Sequence, residues 1–182
     1  MLSEYIHPVL RSITRYGKCK CPNADQQLAV TEEKWATINL SFPRLGLQST
    51  LNDQCSQIVM ADCHTCKQLR QETTERSLVK APDVLAISIN RIDYDTGRSI
   101  NDLIPTPDIV NVPLAADSIV EPSPGNVSYK LSSAILPTPG HFTALLKHRG
   151  RFYRVSDAHP PWLAERLDIR KAELYLFIKE KK

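Results

Sequence analysis

The chain has 182 residues, 42% of them hydrophobic and 24% charged, a balance that suits one soluble domain with a core of useful size. Net charge is +3, and the one basic cluster, Lys179-Glu180-Lys181-Lys182, is too small for a nucleic-acid footprint and reads as a solvated tail. No apolar run approaches the roughly 20 residues of a membrane span, and Met1-Leu2-Ser3-Glu4 lacks a basic-then-apolar signal pattern, so a cytoplasmic or nuclear home with reduced thiols is expected, with no nucleic-acid or membrane partner.

In chain order, Trp35-Ala36-Thr37-Ile38-Asn39-Leu40 alternates and ends at Pro43, as a strand would. Leu47, Leu51, Ile58 and Val59 are spaced for a short helix over 47–59. Gln71 to Val79 is polar with Thr73 and Thr74 and suits a strand. Asp83-Val84-Leu85-Ala86-Ile87-Ser88-Ile89, preceded by Pro82, has the apolar, β-branched character of a buried strand. Asp95-Thr96-Gly97-Arg98 is a turn. Pro105 to Pro124 is proline-rich, with Pro122-Ser123-Pro124-Gly125 as an exposed loop. Strands are expected at Tyr129 to Leu136, Phe142 to Lys147 and Arg151 to Val155, the last two joined by a tight hairpin at Arg149-Gly150. Leu163 to Ala172 suits a short helix, and Leu174-Tyr175-Leu176-Phe177-Ile178 a closing strand. Late antiparallel strands with few helices argue for an α+β fold.

Five cysteines are present: Cys19, Cys21, Cys55, Cys63 and Cys66. In a reducing compartment, paired cysteines read as metal ligands before they read as disulfides. Cys63-His64-Thr65-Cys66 is a C-x-x-C knuckle whose thiolates can meet one zinc ion tetrahedrally, and Cys19-Lys20-Cys21 is the other half-site. The alternatives are a decayed zinc site with the thiols left behind and a redox C-x-x-C, which the lack of a surrounding βαβ pattern disfavours. His64 lies inside the knuckle and is expected to point outward. Cys55 has no partner and no helix start to lower its pKa, so it reads as a structural thiol.

Gly140-His141-Phe142-Thr143-Ala144 precedes Ser156-Asp157 by about one hairpin. A histidine that takes a proton and a carboxylate that holds its ring in the right tautomer are what a nucleophilic thiol needs. Taken singly, His141 also reads as a surface or packing histidine, and Asp157 as a turn residue ahead of Pro160-Pro161. His7, His148 and His159 have no partners in sequence and read as solvated. Phe142, Tyr153 and Tyr175 also read as core aromatics.

Several segments in order carry a family likeness. They are Cys63/Cys66; Pro82-Asp83-Val84-Leu85 with Arg91; Tyr129-Lys130-Leu131; Gly140-His141-Phe142-Thr143-Ala144; Phe152-Tyr153 with Ser156-Asp157; and Leu174-Tyr175-Leu176-Phe177. From about Tyr5 to Lys179 the chain resembles the second half of a ubiquitin-specific protease, a papain-like cysteine protease. That resemblance implies a single, partial protease domain over 1–182. Its zinc-tipped β fingers would span about 5–80, and its antiparallel β palm about 81–179. It implies structural zinc on Cys19, Cys21, Cys63 and Cys66, and ubiquitin or a ubiquitin-like protein as partner. It also implies His141 as base and then acid, and Asp157 as its orienter on the far ring nitrogen. Gly140 and Phe142 would border the channel for the ubiquitin tail.

The chain departs from the family pattern in four places. The Cys box at the start of a helix, with its helical thumb, is absent. Ser156 stands at the first acidic position. The segment before His141 is trimmed to Leu136-Pro137-Thr138-Pro139, and the first cysteine pair is C-x-C. Two functions of different class follow as expectations. One is the fingers-and-palm part of a deubiquitinating cysteine protease whose nucleophile lies on upstream sequence or on another chain, with a missing N-terminal half as partner. It would hydrolyse the bond after the C-terminal Gly of ubiquitin. The other is a catalytically dead module that binds ubiquitin or another partner. A thiol of ordinary pKa is mostly protonated at neutral pH, so turnover needs a His-paired Cys.

Overall fold

The computed structural model describes residues 8–17, 21, 28–115, 125–138, 140–157, 159–165 and 168–180. Among these, strands dominate: β1 (Val9–Tyr16), β2 (Leu28–Lys34), β3 (Ile38–Leu40), β4 (Ser56–Asp62), β5 (Leu69–Lys80), β6 (Val84–Ile89), β7 (Ile109–Leu114), β8 (Gly125–Thr138), β9 (His141–His148), β10 (Arg151–Val155), β11 (Trp162–Leu163) and β12 (Leu174–Lys179). One α-helix, α1 (Leu47–Cys55), and a single 3₁₀ turn at Asp168–Lys171 accompany them.

The strands form one mixed sheet of 12. Its main path runs β11-β10-β9-β8-β7-β5-β1-β2; β12 lies between β8 and β6, β3 pairs with β6, and β4 pairs with β5. All pairings are antiparallel except β3 with β6 and β5 with β7.

β6, between β12 and β3, reads as a near-continuous apolar run because both faces are covered, with Leu85, Ile87 and Ile89 buried on one and Ala86 on the other. Tyr129 of β8 and Tyr175 and Phe177 of β12 are fully buried in the same cluster. Each such side chain contributes about 1.5–3 kcal/mol of burial. The two phenols keep their polar tips satisfied: Tyr129 donates to the Pro82 carbonyl at 3.0 Å and Tyr175 to that of Ile169 at 3.0 Å. Burial pushes both phenol pKa values upward.

Arg91 follows β6 and is itself buried. Its guanidinium donates to the carbonyls of Ile100 (3.1 Å), Asp102 (2.9 Å), Arg170 (2.9 Å) and Ala172 (3.3 Å), and lies over the Phe42 ring at 5.4 Å. It thus ties the loop after β6 to the 3₁₀ turn before β12.

Several expected elements come out differently. The helix over 47–59 stops at Cys55, because Leu47, Leu51 and Cys55 complete one buried stripe. Ile58 and Val59 instead join β4, where they pair with Thr73 and Glu72 of β5. β-branched side chains with a waiting partner strand favour the ladder over another helical turn. In the proline-rich stretch, Ile109–Leu114 forms β7, with Val110 and Val112 buried by alternation. Of the loop expected over Pro122 to Gly125, Pro122 to Pro124 lie outside the described residues and Gly125 is the first residue of β8. The strand expected from Trp35 begins only at Ile38, since the Trp35 amide closes the end of β1 on the Pro8 carbonyl. The helix expected over 163–172 reduces to the 3₁₀ turn, and Trp162–Leu163 pairs with Arg154 and Tyr153. β1 and β2, mostly polar and partly exposed, had no announcing pattern. The other expected strands, and the Asp95–Arg98 and Arg149-Gly150 turns, are present, the latter two residues with φ of 48° and 80°.

Candidate functional site

β8 and β9 form an antiparallel hairpin that closes at Thr138 and His141. Gly140, just ahead of His141, carries a positive φ of 70°, which glycine adopts without strain. The Thr138 hydroxyl donates to the His141 carbonyl at 2.7 Å and fixes the first residue of β9. β9 pairs in turn with β10, down to Ala144 against Val155. The start of β9 therefore sits beside the chain that leaves β10, which is Ser156-Asp157.

That register brings His141 Nε2 within 2.9 Å of Asp157 Oδ1. The ring then carries its proton on Nε2, donated to the carboxylate, and presents the Nδ1 lone pair. Among the described residues nothing is hydrogen-bonded to Nδ1. The His141 side chain is 40% exposed and that of Asp157 79%, so the pair opens to solvent and the contact by itself is worth at most about 1 kcal/mol. A ring so held can take a proton at Nδ1 while the carboxylate steadies the cation at Nε2.

Phe142, next to the histidine, is 68% exposed. Strand alternation sends it away from the face that His141 shares with buried Thr143 and Leu145. Among the described residues the hydroxyls of Thr143 and Ser156 are buried with no hydrogen-bond partner. Thr143 lies two residues along β9 from His141 and Ser156 directly precedes Asp157; the family pattern marks Ser156, and sequence gives no signal for Thr143 beyond adjacency. His148 and His159 are exposed and meet only ring edges, of Tyr153 and Trp162. His7 lies outside the described residues.

Cys55 does not serve the pair. It is buried in the core, and burial pushes its thiol up to about 11, with the Arg76 charge opposing the shift. The other three described cysteines gather elsewhere. β4 ends at Asp62, and the chain turns through Cys63–Cys66 before β5 begins. The Cys63 amide donates to Gln68 O and the Lys67 amide to Cys63 O, each at 2.9 Å, with Lys67 at φ 57°. Across from this knuckle, β1 ends at Tyr16, and the amide of the next residue, Gly17, donates to Gln71 O at 2.6 Å. A Cβ there would lie 2.9 Å from that oxygen, so only glycine lets the chain approach this closely before Cys21. Sequence reading overlooked Gly17, though a glycine just ahead of a cysteine pair was the available signal.

The sulfurs of Cys21, Cys63 and Cys66 lie within 4.8 Å of one another, with Cys21 and Cys63 3.6 Å apart. Thiolates on a tetrahedral ion with bonds of about 2.3 Å would be about 3.8 Å apart, so these three fit a metal ion. None of the four described cysteines is in a disulfide. Cys19 lies outside the described residues, and His64 is exposed.

No family model matches the chain, and no curated protein matches it. Solved structures do. A structure titled as the SAGA DUB module Ubp8/Sgf11/Sus1/Sgf73 bound to monoubiquitin matches over 98% of this chain with a TM-score of 0.69 at 16% identity. One of the same module bound to ubiquitin aldehyde matches with a TM-score of 0.71 at 16% identity, again over 98% of this chain. The chain spans 41% and 42% of the lengths of those matched chains. Among the described residues no helix is long and apolar enough to cross a membrane. The chain thus has a deubiquitinase-like fold and spans about two fifths of the length of these matched chains.

Proposed function

We propose that this chain is the fingers-and-palm part of a ubiquitin-specific cysteine protease, acting on the bond after the C-terminal Gly of ubiquitin or a ubiquitin-like protein. The observation that carries the reading is the 2.9 Å contact of Asp157 with His141 Nε2 on a deubiquitinase-like fold. In this reading His141 takes the thiol proton at Nδ1 and returns it to the leaving amine. Asp157 keeps the proton on Nε2 and steadies the imidazolium. Gly140 lets the chain turn tightly ahead of the base, and exposed Phe142 offers apolar surface to a tail crossing the start of β9. The nucleophile comes from sequence outside this chain or from a second chain. Cys21, Cys63 and Cys66, with Cys19, would hold one structural zinc ion that pins the β4–β5 knuckle to the end of β1. The chain would span one partial domain, with fingers over about 5–80 and palm over about 81–179, and would work in the cytoplasm or nucleus.

Buried Cys55, with its raised pKa, favours a second reading in which this chain alone binds ubiquitin and does not cleave it. A ubiquitin bearing a thiol-reactive C-terminus tests both. Binding without a covalent adduct is expected from the isolated chain. An adduct on any of its five cysteines would overturn the assignment of the nucleophile elsewhere. Absence of binding in a chain shown to be folded by circular dichroism would sink both readings. Coding sequence upstream that carries a Cys-box helix favours the protease; upstream sequence without one favours the binding module.

A further inference from the structure

β4 pairs with β5 on one side and with no described strand on the other. Its sequence, Ser56-Gln57-Ile58-Val59-Met60-Ala61-Asp62, holds no proline, no glycine and no charge before Asp62. Ile58, Val59 and Met60 are 66%, 50% and 59% exposed. Because side chains alternate, both faces of this edge are apolar. A flat, uncharged, apolar edge is a ready template for another strand. The opposite edge of the same four strands, β2, ends in Glu32-Glu33-Lys34 and is blunted by charge. Among the described residues one edge is guarded by charge and the other has no strand against it.

β4 is also self-complementary. Turned antiparallel on itself about Val59, it sets Val59 against the partner's Val59 and Ile58 against the partner's Met60. Gln57 then meets the partner's Ala61, and Ser56 the partner's Asp62. At the centre apolar groups oppose apolar groups on both faces, Val59 on one and Ile58 with Met60 on the other, and no like charges meet. A charged partner strand would find nothing to pair with between Gln57 and Ala61.

We infer that β4 is a homodimerisation edge: two copies of this chain join β4 to β4 into one continuous sheet. The contact is isologous, so it closes at two copies, and the charged β2 edge opposes growth into filaments. The inference stands apart from the proteolytic reading, since it uses neither His141 nor the cysteines.

Analytical ultracentrifugation of the full chain over a concentration series tests it. A reversible monomer–dimer equilibrium is expected. Val59→Lys and Val59→Glu each place like charges at the two-fold axis and are expected to weaken dimerisation at least about tenfold. Val59 is half-exposed and stands opposite Glu72 of β5, so Val59→Lys should melt like wild type and Val59→Glu somewhat lower, the like charges costing up to about 1 kcal/mol. Equimolar mixing should restore the dimer, because Lys then faces Glu. Ile58→Glu mixed with Met60→Lys should behave the same way and supplies a second pair should either Val59 variant fold poorly. A wild-type chain that stays monomeric up to about hundreds of micromolar, a Val59→Lys variant that dimerises as wild type does, or mixtures no more associated than their components would each overturn the inference.

Discussion

Arg91→Met removes five donors from the interior while keeping most of the side chain's length and apolar stem. In the wild type the guanidinium supplies four backbone carbonyls, those of Ile100, Asp102, Arg170 and Ala172, at 2.9 to 3.3 Å. No carboxylate neutralises it among the described residues, so these dipoles and the Phe42 ring at 5.4 Å hold the charge. Each carbonyl left without a donor costs about 1 kcal/mol or more. The Arg170 carbonyl keeps the Ile104 amide at 2.9 Å as a donor, so three carbonyls lose theirs, for about 3 kcal/mol, partly offset because methionine does not have to bury a cation. The expected destabilisation is about 2–4 kcal/mol, which lowers Tm by roughly 4–16 °C in a chain of this size. Arg91→Lys, with three donors and no planar fork, should fall between. Urea unfolding followed by circular dichroism measures both. A loss of under about 1 kcal/mol for Arg91→Met would refute the clamp and mean that water reaches those carbonyls.

Three further outcomes follow from other sites. Purified chain should hold about one zinc ion by elemental analysis, and Cys63→Ser, which removes the buried ligand of the knuckle, should abolish it; full zinc content in that variant would refute the assignment. Cys55 has a folded pKa raised to about 11 from 9.0, so its contribution to stability is present below about pH 9 and is lost as pH rises through about 11; Cys55→Ala should flatten that alkaline decline in a pH series of melts, and an unchanged decline would remove Cys55 as its source. Gly140→Val forces a β-branched residue to φ 70° in open space, at about 1–2 kcal/mol; Gly125→Val, which has open space and no positive φ, should change stability by under about 0.5 kcal/mol, and equal effects would show that backbone strain is not the cause.

Some of this protein is written in local pattern. The buried strand β6, the hairpin turns at Gly140 and Gly150, and the closing strand β12 follow from β-branched runs and from residues that tolerate positive φ. These depend on neighbours a few residues away, which a sequence displays. The Cys63–Cys66 knuckle was legible from its C-x-x-C spacing, whereas His141 and Asp157 stood out only through the order of motifs that carries the family likeness. Other features belong to pairing between distant segments. Ile58 and Val59 satisfy a helical spacing as well as a strand, and only the presence of β5 decides for β4. Ile109–Leu114 lies in a proline-rich stretch and becomes a strand because β8 lies alongside it.

Sequence alone named a histidine, an aspartate and a set of cysteines. Tertiary structure decided that β9 and β10 align so that Asp157 meets Nε2 and leaves Nδ1 open. It decided that Cys21 reaches Cys63 while Cys55 is sealed in the core. It also decided which strand, among the described residues, has no strand against its outer edge. Chain order fixes which groups exist; the register of paired strands fixes which of their atoms come within bonding distance, and register is a property of the whole sheet.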